Sequence, residues 1–115
     1  MDAADRARFE DLVQDAIDRL PADIRKRMSN VAVLVEDEPP DPRFLGLYRG
    51  IPLTRRAGGY FGVLPDKITI YRGPLERLYG DDPARLRKEV THTVKHEIAH
   101  HFGISDQHLV DIDRY

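Results

Sequence analysis

The chain contains no cysteine. That excludes disulfides, cysteine-rich zinc ribbons and thiol nucleophiles together, and leaves any bound metal to histidine and carboxylate ligands. It also lacks a surplus of either charge: 18 Lys and Arg stand against 20 Asp and Glu, for a formal net charge of −2. A general nucleic-acid or anionic-membrane binder needs a clustered positive excess, so neither partner is expected. No apolar run approaches the length of a membrane span. The opening MDAADRARFEDLV is charged throughout and has no apolar h-region, so a signal peptide is not expected and the cytoplasm is the expected compartment. With 41% hydrophobic and 33% charged residues in 115 positions, the expectation is one globular domain over residues 1–115.

Apolar residues at Phe9, Leu12, Val13, Ala16, Ile17 and Leu20 recur at helical spacing, and Pro21 divides this helix from a shorter one. Asp2, Asp5, Glu10 and Asp11 lie early and Arg25, Lys26 and Arg27 late, in accord with the helix dipole. VAVLV (31–35) reads as a buried strand, LGLYRG (45–50) as a second, and KITIYRG (67–73) as a third with Ile68 and Ile70 on one face. Residues 38–66 hold five of the eight prolines and five of the eight glycines, together with Arg43, Arg49, Arg55 and Arg56. A stretch of this kind is either an ordered surface connection or the wall of a cleft.

The segment GDDPARLRKEV opens the next helix, with Asp82 as N-cap and Pro83 at the first helical position. Leu86, Val90, Val94, Ile98 and Phe102 form its apolar stripe, and Arg85, Glu89, His92, His96 and His100 fall on the opposite face. Gly103 offers a residue suited to ending the helix, and DQHLVDIDRY reads as a last short one.

All five histidines lie between positions 92 and 108. His96 and His100, four apart, project from one face, close enough for both imidazoles to reach one ion. Glu97 is rotated by about 100° from them, beside the open position of such a metal, where a carboxylate takes a proton from water. Two imidazoles leave zinc short of a ligand, and Asp106 is the nearest carboxylate that a turn at Gly103 returns toward the ion. His108, Asp111 and Asp113 are the alternatives. His92 lies one turn earlier and His101 toward the apolar side. A bare HExxH arises in roughly 1% of shuffles of this composition, and requiring the Gly and Asp lowers that to about 0.01%.

HEIAHHFGISD (96–106) matches HExxHxxGxxD, the metzincin signature in which Asp replaces the third His, as in snapalysin-type peptidases. Together with VAVLVEDEP, LGLYRGIPLTRR, LPDKITIYRGPL and THTVKHEIAHHFGISD, the chain resembles a family of small bacterial zincin-like metallopeptidase domains. The resemblance implies His96, His100 and Asp106 as ligands of one Zn²⁺ per chain, Glu97 as general base, and peptide or protein substrates. Larger metzincins carry a methionine turn after the motif. Here Met1 and Met28 are the only methionines, so no such turn is expected, and Tyr71 and Tyr115 are the candidate counterparts of its accompanying tyrosine. An Asp in place of a third His leaves the site near +1, which favours a modest peptidase with a pH optimum at neutral or above. In zincins generally the substrate lies along a strand edge bordering the cleft, and residues 67–72 are expected to supply that edge, with Ile70 and Tyr71 contacting substrate.

The expected architecture is α+β: an N-terminal helix, a small mixed sheet of about three strands, a zinc-bearing helix and a short C-terminal helix. The expected function is zinc-dependent hydrolysis of peptide bonds. The alternative is a non-catalytic zinc-binding domain acting in protein interaction, favoured by the small size and the missing methionine turn. The oligomeric state is not legible in the sequence.

Overall fold

The computed structural model describes residues 3–28, 30–50 and 66–102. Helix α1 (Ala3–Asp18) presents Phe9, Val13 and Ala16 to the core, and Leu20 follows them after its end. Pro21 separates it from the short α2 (Ala22–Lys26), as the sequence predicts. Three strands follow: β1 (Val31–Glu36), β2 (Gly46–Arg49) and β3 (Asp66–Tyr71). Helices α3 (Arg72–Tyr79) and α4 (Pro83–His101) complete the described elements. Helix and strand thus combine as the α+β reading requires. The expected C-terminal helix lies outside the described residues, as do Arg55 and Arg56.

The strand order is β1-β3-β2, with β1 parallel and β2 antiparallel to β3. The register sets Val33 and Tyr48 on either side of Ile68, and Val35 and Gly46 on either side of Ile70. Strand side chains alternate between faces, so these residues share the side on which α4 packs across β2 and β3. Ile68 and Ile70 are fully buried there, in one core with Phe9, Leu75, Val90 and Val94. Leu34 and Lys67 alternate to the exposed side.

This topology corrects one expectation. β3 is the central strand, paired along both edges, so residues 67–72 supply no free edge to a substrate. Ile70 and Tyr71, proposed as substrate contacts, are 0% and 5% exposed. The alternation of KITIY reports that one face is buried. It does not report how many neighbours the strand has. Among the described residues β1 and β2 are the outer strands, and β1 keeps only Val35 buried where VAVLV suggested a wholly buried run.

Helix α3 is also absent from the sequence reading, because Arg72-Gly73-Pro74 reads as a strand end and turn. Proline is tolerated in a first helical turn, whose N–H groups lack helical partners in any case. Gly73 is required by close approach: a Cβ there would lie 2.6 Å from the Asp37 carbonyl oxygen, to which its own N–H donates at 2.8 Å. Leu75 then buries completely, and Arg77 grips both Glu38 carboxylate oxygens at 2.6 and 2.9 Å.

Candidate active site

Helix α4 carries the site, and its start is built as the sequence predicts. Asp82 Oδ1 accepts from the Ala84 and Arg85 N–H groups at 3.1 and 3.2 Å, and Pro83 needs no donor partner. Val90, Val94 and Ile98 anchor the helix from below at 0–3% exposure. This orientation turns His92, His96 and His100 toward the opposite, open side.

The imidazoles of His96 and His100 converge: their Nε2 atoms are 3.3 Å apart and their ring centroids 5.0 Å. Two nitrogens bound to one tetrahedral zinc at 2.0–2.1 Å are separated by about 3.3 Å. The pair therefore has the bite of a zinc site, a spacing that equally suits a hydrogen bond from one ring to the other. The His92 ring stands farther off, 6.5 Å from that of His96. Glu89, on the same face two turns back, accepts from Arg85 Nε at 3.0 Å. Among the described residues no group of three or more His, Asp or Glu is arranged to hold a metal. Asp106, the expected third ligand, and the turn residue Gly103 lie outside the described residues, with His108, Asp111, Asp113 and Tyr115.

Glu97 occupies a different environment from the two histidines beside it. They are partly exposed, whereas Glu97 is 7% exposed and lies under strand β2. Gly46 makes that approach possible. A Cβ at position 46 would meet Glu97 Cγ and Thr93 Cγ2 at 2.9 Å and Glu97 Oε2 at 3.2 Å. The strand backbone thus packs directly on the carboxylate side chain. Arg43, Phe44, Leu45, Gly46 and Leu47 form one wall of a cleft of about 440 Å³, and His92, Thr93, His96, Glu97 and His100 form the other. The proline- and glycine-rich stretch is therefore, in this part, the wall of a cleft. Arg43 at its mouth is neutralised in place: Asp41 accepts from its Nη2 at 2.7 Å and its Nε at 3.1 Å, which holds the Asp41 carboxyl below its ordinary value.

A second polar group, not anticipated from the sequence, lies behind the site. The Asp66 carboxylate accepts from the Tyr48 hydroxyl at 2.7 Å, and the same oxygen is 2.7 Å from His101 Nδ1. Asp66 and His101 are 2% and 1% exposed. The trio joins β2, β3 and the end of α4, one residue after His100. His101 is packed, as its side of the helix implied, but its partner is 35 residues away and no local pattern announces it. Tyr71 lies at the opposite end of β3 from Asp66. Burial, opposed by Arg49 and reinforced by Glu36 and Glu97, raises its phenol above the ordinary value of 10.0, so it remains protonated at neutral pH.

No helix among the described residues is long and apolar enough to cross a membrane. No curated protein matches the chain. The family model for zincin-like metallopeptidases matches residues 28–115, which include both outer strands, the central strand and the whole of α4. With that match covering most of its length, the chain belongs to the zincin-like metallopeptidase family.

Proposed function

We propose that this chain is a zinc-dependent peptidase that hydrolyses peptide bonds with Glu97 as general base. The observation that supports the reading best is the contrast at the cleft: two partly exposed imidazoles with their Nε2 atoms 3.3 Å apart, beside a carboxylate buried to 7% exposure under a strand. His96 and His100 would hold one zinc ion, with Asp106 as the third ligand that the family resemblance implies. When bound, zinc supplies Lewis acidity toward the scissile carbonyl and toward water.

The remaining steps belong to the chain's own residues. The Glu97 carboxylate takes the proton from the attacking water and returns it to the leaving amine nitrogen. Its burial under β2 keeps bulk solvent from competing for that proton. The peptide lies extended along the outer edge of β2, whose other edge pairs with β3, and exchanges main-chain hydrogen bonds with it. That edge borders the cleft, so it takes the role expected of residues 67–72.

The test is cleavage of a diverse peptide library, read by mass spectrometry, with zinc-loaded wild type against Glu97→Ala. Products from the wild type alone establish the peptidase and give its subsite preferences. Equal yields from the two proteins would overturn the reading and leave a metal-binding domain whose work is protein interaction.

A further inference from the structure

We infer that a basic groove beside the cleft binds acidic residues of the polypeptide being cleaved. The groove encloses about 410 Å³ and is lined by Arg19, Arg87, Lys88 and Lys95, with Ala84, Thr91 and His92 between them and no carboxylate among the described residues. Its α4 residues follow the spacing i, i+3, i+4, i+7, i+8, i+11 from Ala84, a single stripe along the helix. Arg19 joins it from just beyond the end of α1.

Several facts separate this stripe from an ordinary solvated face. The chain carries a net charge of −2, so four cations around one concavity do not follow from composition. Arg6, Arg8, Arg43, Arg72, Arg77 and Arg85 each have a carboxylate partner, whereas Arg25, Lys26, Arg27, Arg49 and Lys67 have none among the described residues. Of the groove's cations only Arg19 has one, in Asp15 at 3.2 Å; Arg87, Lys88 and Lys95 have none among the described residues. His92 borders both the groove and the cleft, which lie on neighbouring faces of α4. A peptide leaving the cleft across His92 therefore enters the groove.

The geometry sets the register. Lys88 precedes His96 by eight positions, about 12 Å along a helix at 1.5 Å per residue. An extended peptide covers that distance in three or four residues at about 3.3 Å each. Carboxylates three or four positions to one side of the scissile bond thus reach Lys88, and nearer ones reach Lys95. A nucleic acid is the less suitable occupant, because among the described residues the groove offers no aromatic ring besides His92 for base stacking. Identifying the occupant as substrate rests on the peptidase reading.

The experiment uses zinc-loaded, full-length Glu97→Ala, which needs no turnover to report binding. A fluorescein-labelled peptide carrying four consecutive glutamates is compared by anisotropy with the same peptide carrying glutamines. The glutamate peptide should bind about tenfold more tightly at low salt, with the advantage shrinking as salt rises. Adding Lys88→Gln and Lys95→Gln, both exposed helix positions, should reduce that advantage by about fivefold and leave the glutamine peptide unchanged. Equal affinities for the two peptides, or a preference that survives the double substitution, would overturn the proposal. So would stronger competition by an oligodeoxythymidylate of equal charge. The two readings fail distinguishably: binding without wild-type cleavage removes the peptidase and with it the occupant's identity as substrate, leaving an acidic-peptide site, and cleavage indifferent to glutamate removes only the groove.

Discussion

Replacing Gly46 by alanine adds one methyl group at the tightest contact between the strand wall and the helix. It would lie 2.9 Å from both Glu97 Cγ and Thr93 Cγ2, against an optimum of about 3.5–4.0 Å for carbon pairs, so the neighbours must yield by about 0.6 Å or more. Thr93 is branched at Cβ and held in a helical rotamer, with its hydroxyl donating to the Glu89 carbonyl at 2.8 Å, so the unbranched Glu97 stem gives way first. Overpacking of this size costs about 1–3 kcal/mol, which lowers the thermal midpoint of a domain this long by about 5–15 °C. A 1 Å misplacement of a reacting group costs about 100-fold in rate, so kcat should fall by about tenfold. Thermal unfolding and peptide hydrolysis are measured on Gly46→Ala, Thr93→Ser and the double variant. Thr93→Ser deletes one of the two clashing carbons, the Thr93 methyl, so the double variant should regain about half the lost stability while kcat stays low. Gly46→Ala with unchanged midpoint and rate would refute the argument. Full recovery of kcat by Thr93→Ser would show that the glycine does not protect Glu97.

Three other perturbations test the frame around the site. His101→Phe removes one hydrogen-bond partner of the buried Asp66 carboxylate and should cost about 1–3 kcal/mol in urea unfolding; a loss below about 0.5 kcal/mol would mean that the contact contributes nothing to stability. The Glu38 carboxyl is held below its ordinary 4.5, first by the hydrogen bond from Arg77, so its contribution to stability is present above that value and disappears as pH falls through the lower, folded one. The difference in midpoint between wild type and Glu38→Gln should therefore be measurable at neutral pH and vanish in strong acid, and a difference that persists there would exclude the ion pair as its source. Chelation should lower the midpoint only modestly, because the proposed ligands, between positions 96 and 106, close no long loop; global unfolding in chelator would mark a structural metal.

What the sequence revealed and what it concealed divide along one physical line. Signals confined to neighbouring residues were legible: the Asp82-Pro83 helix start, the stripe Val90, Val94, Ile98, and the His96–His100 spacing all appear as read. Relations between distant segments were not. Nothing in KITIY distinguishes a central strand from an edge, since alternation reports faces and not hydrogen-bonded neighbours, and so residues 67–72 read as an available edge although β3 is paired on both sides. Gly46 looked like one more residue of a glycine-rich stretch; its role depends on a helix some fifty positions away. The Asp66–His101 pair is of the same kind. Helix α3 was hidden differently, because Gly73 and Pro74 break helices in their interiors but not in the first turn, where they occur.

The family match begins at residue 28, and α1 ends before it. Yet Phe9, Val13 and Leu20 are 1–6% exposed, and they belong to the same core cluster as Val90 and Val94 of α4. Burying three side chains of that size contributes about 5–9 kcal/mol, comparable with the whole stability of an ordinary domain, about 5–15 kcal/mol. A fragment excised at the family boundary would therefore expose the underside of the very helix that carries His96 and His100. The stretch that identifies the protein is shorter than the stretch that folds, and the smallest piece worth expressing begins at α1.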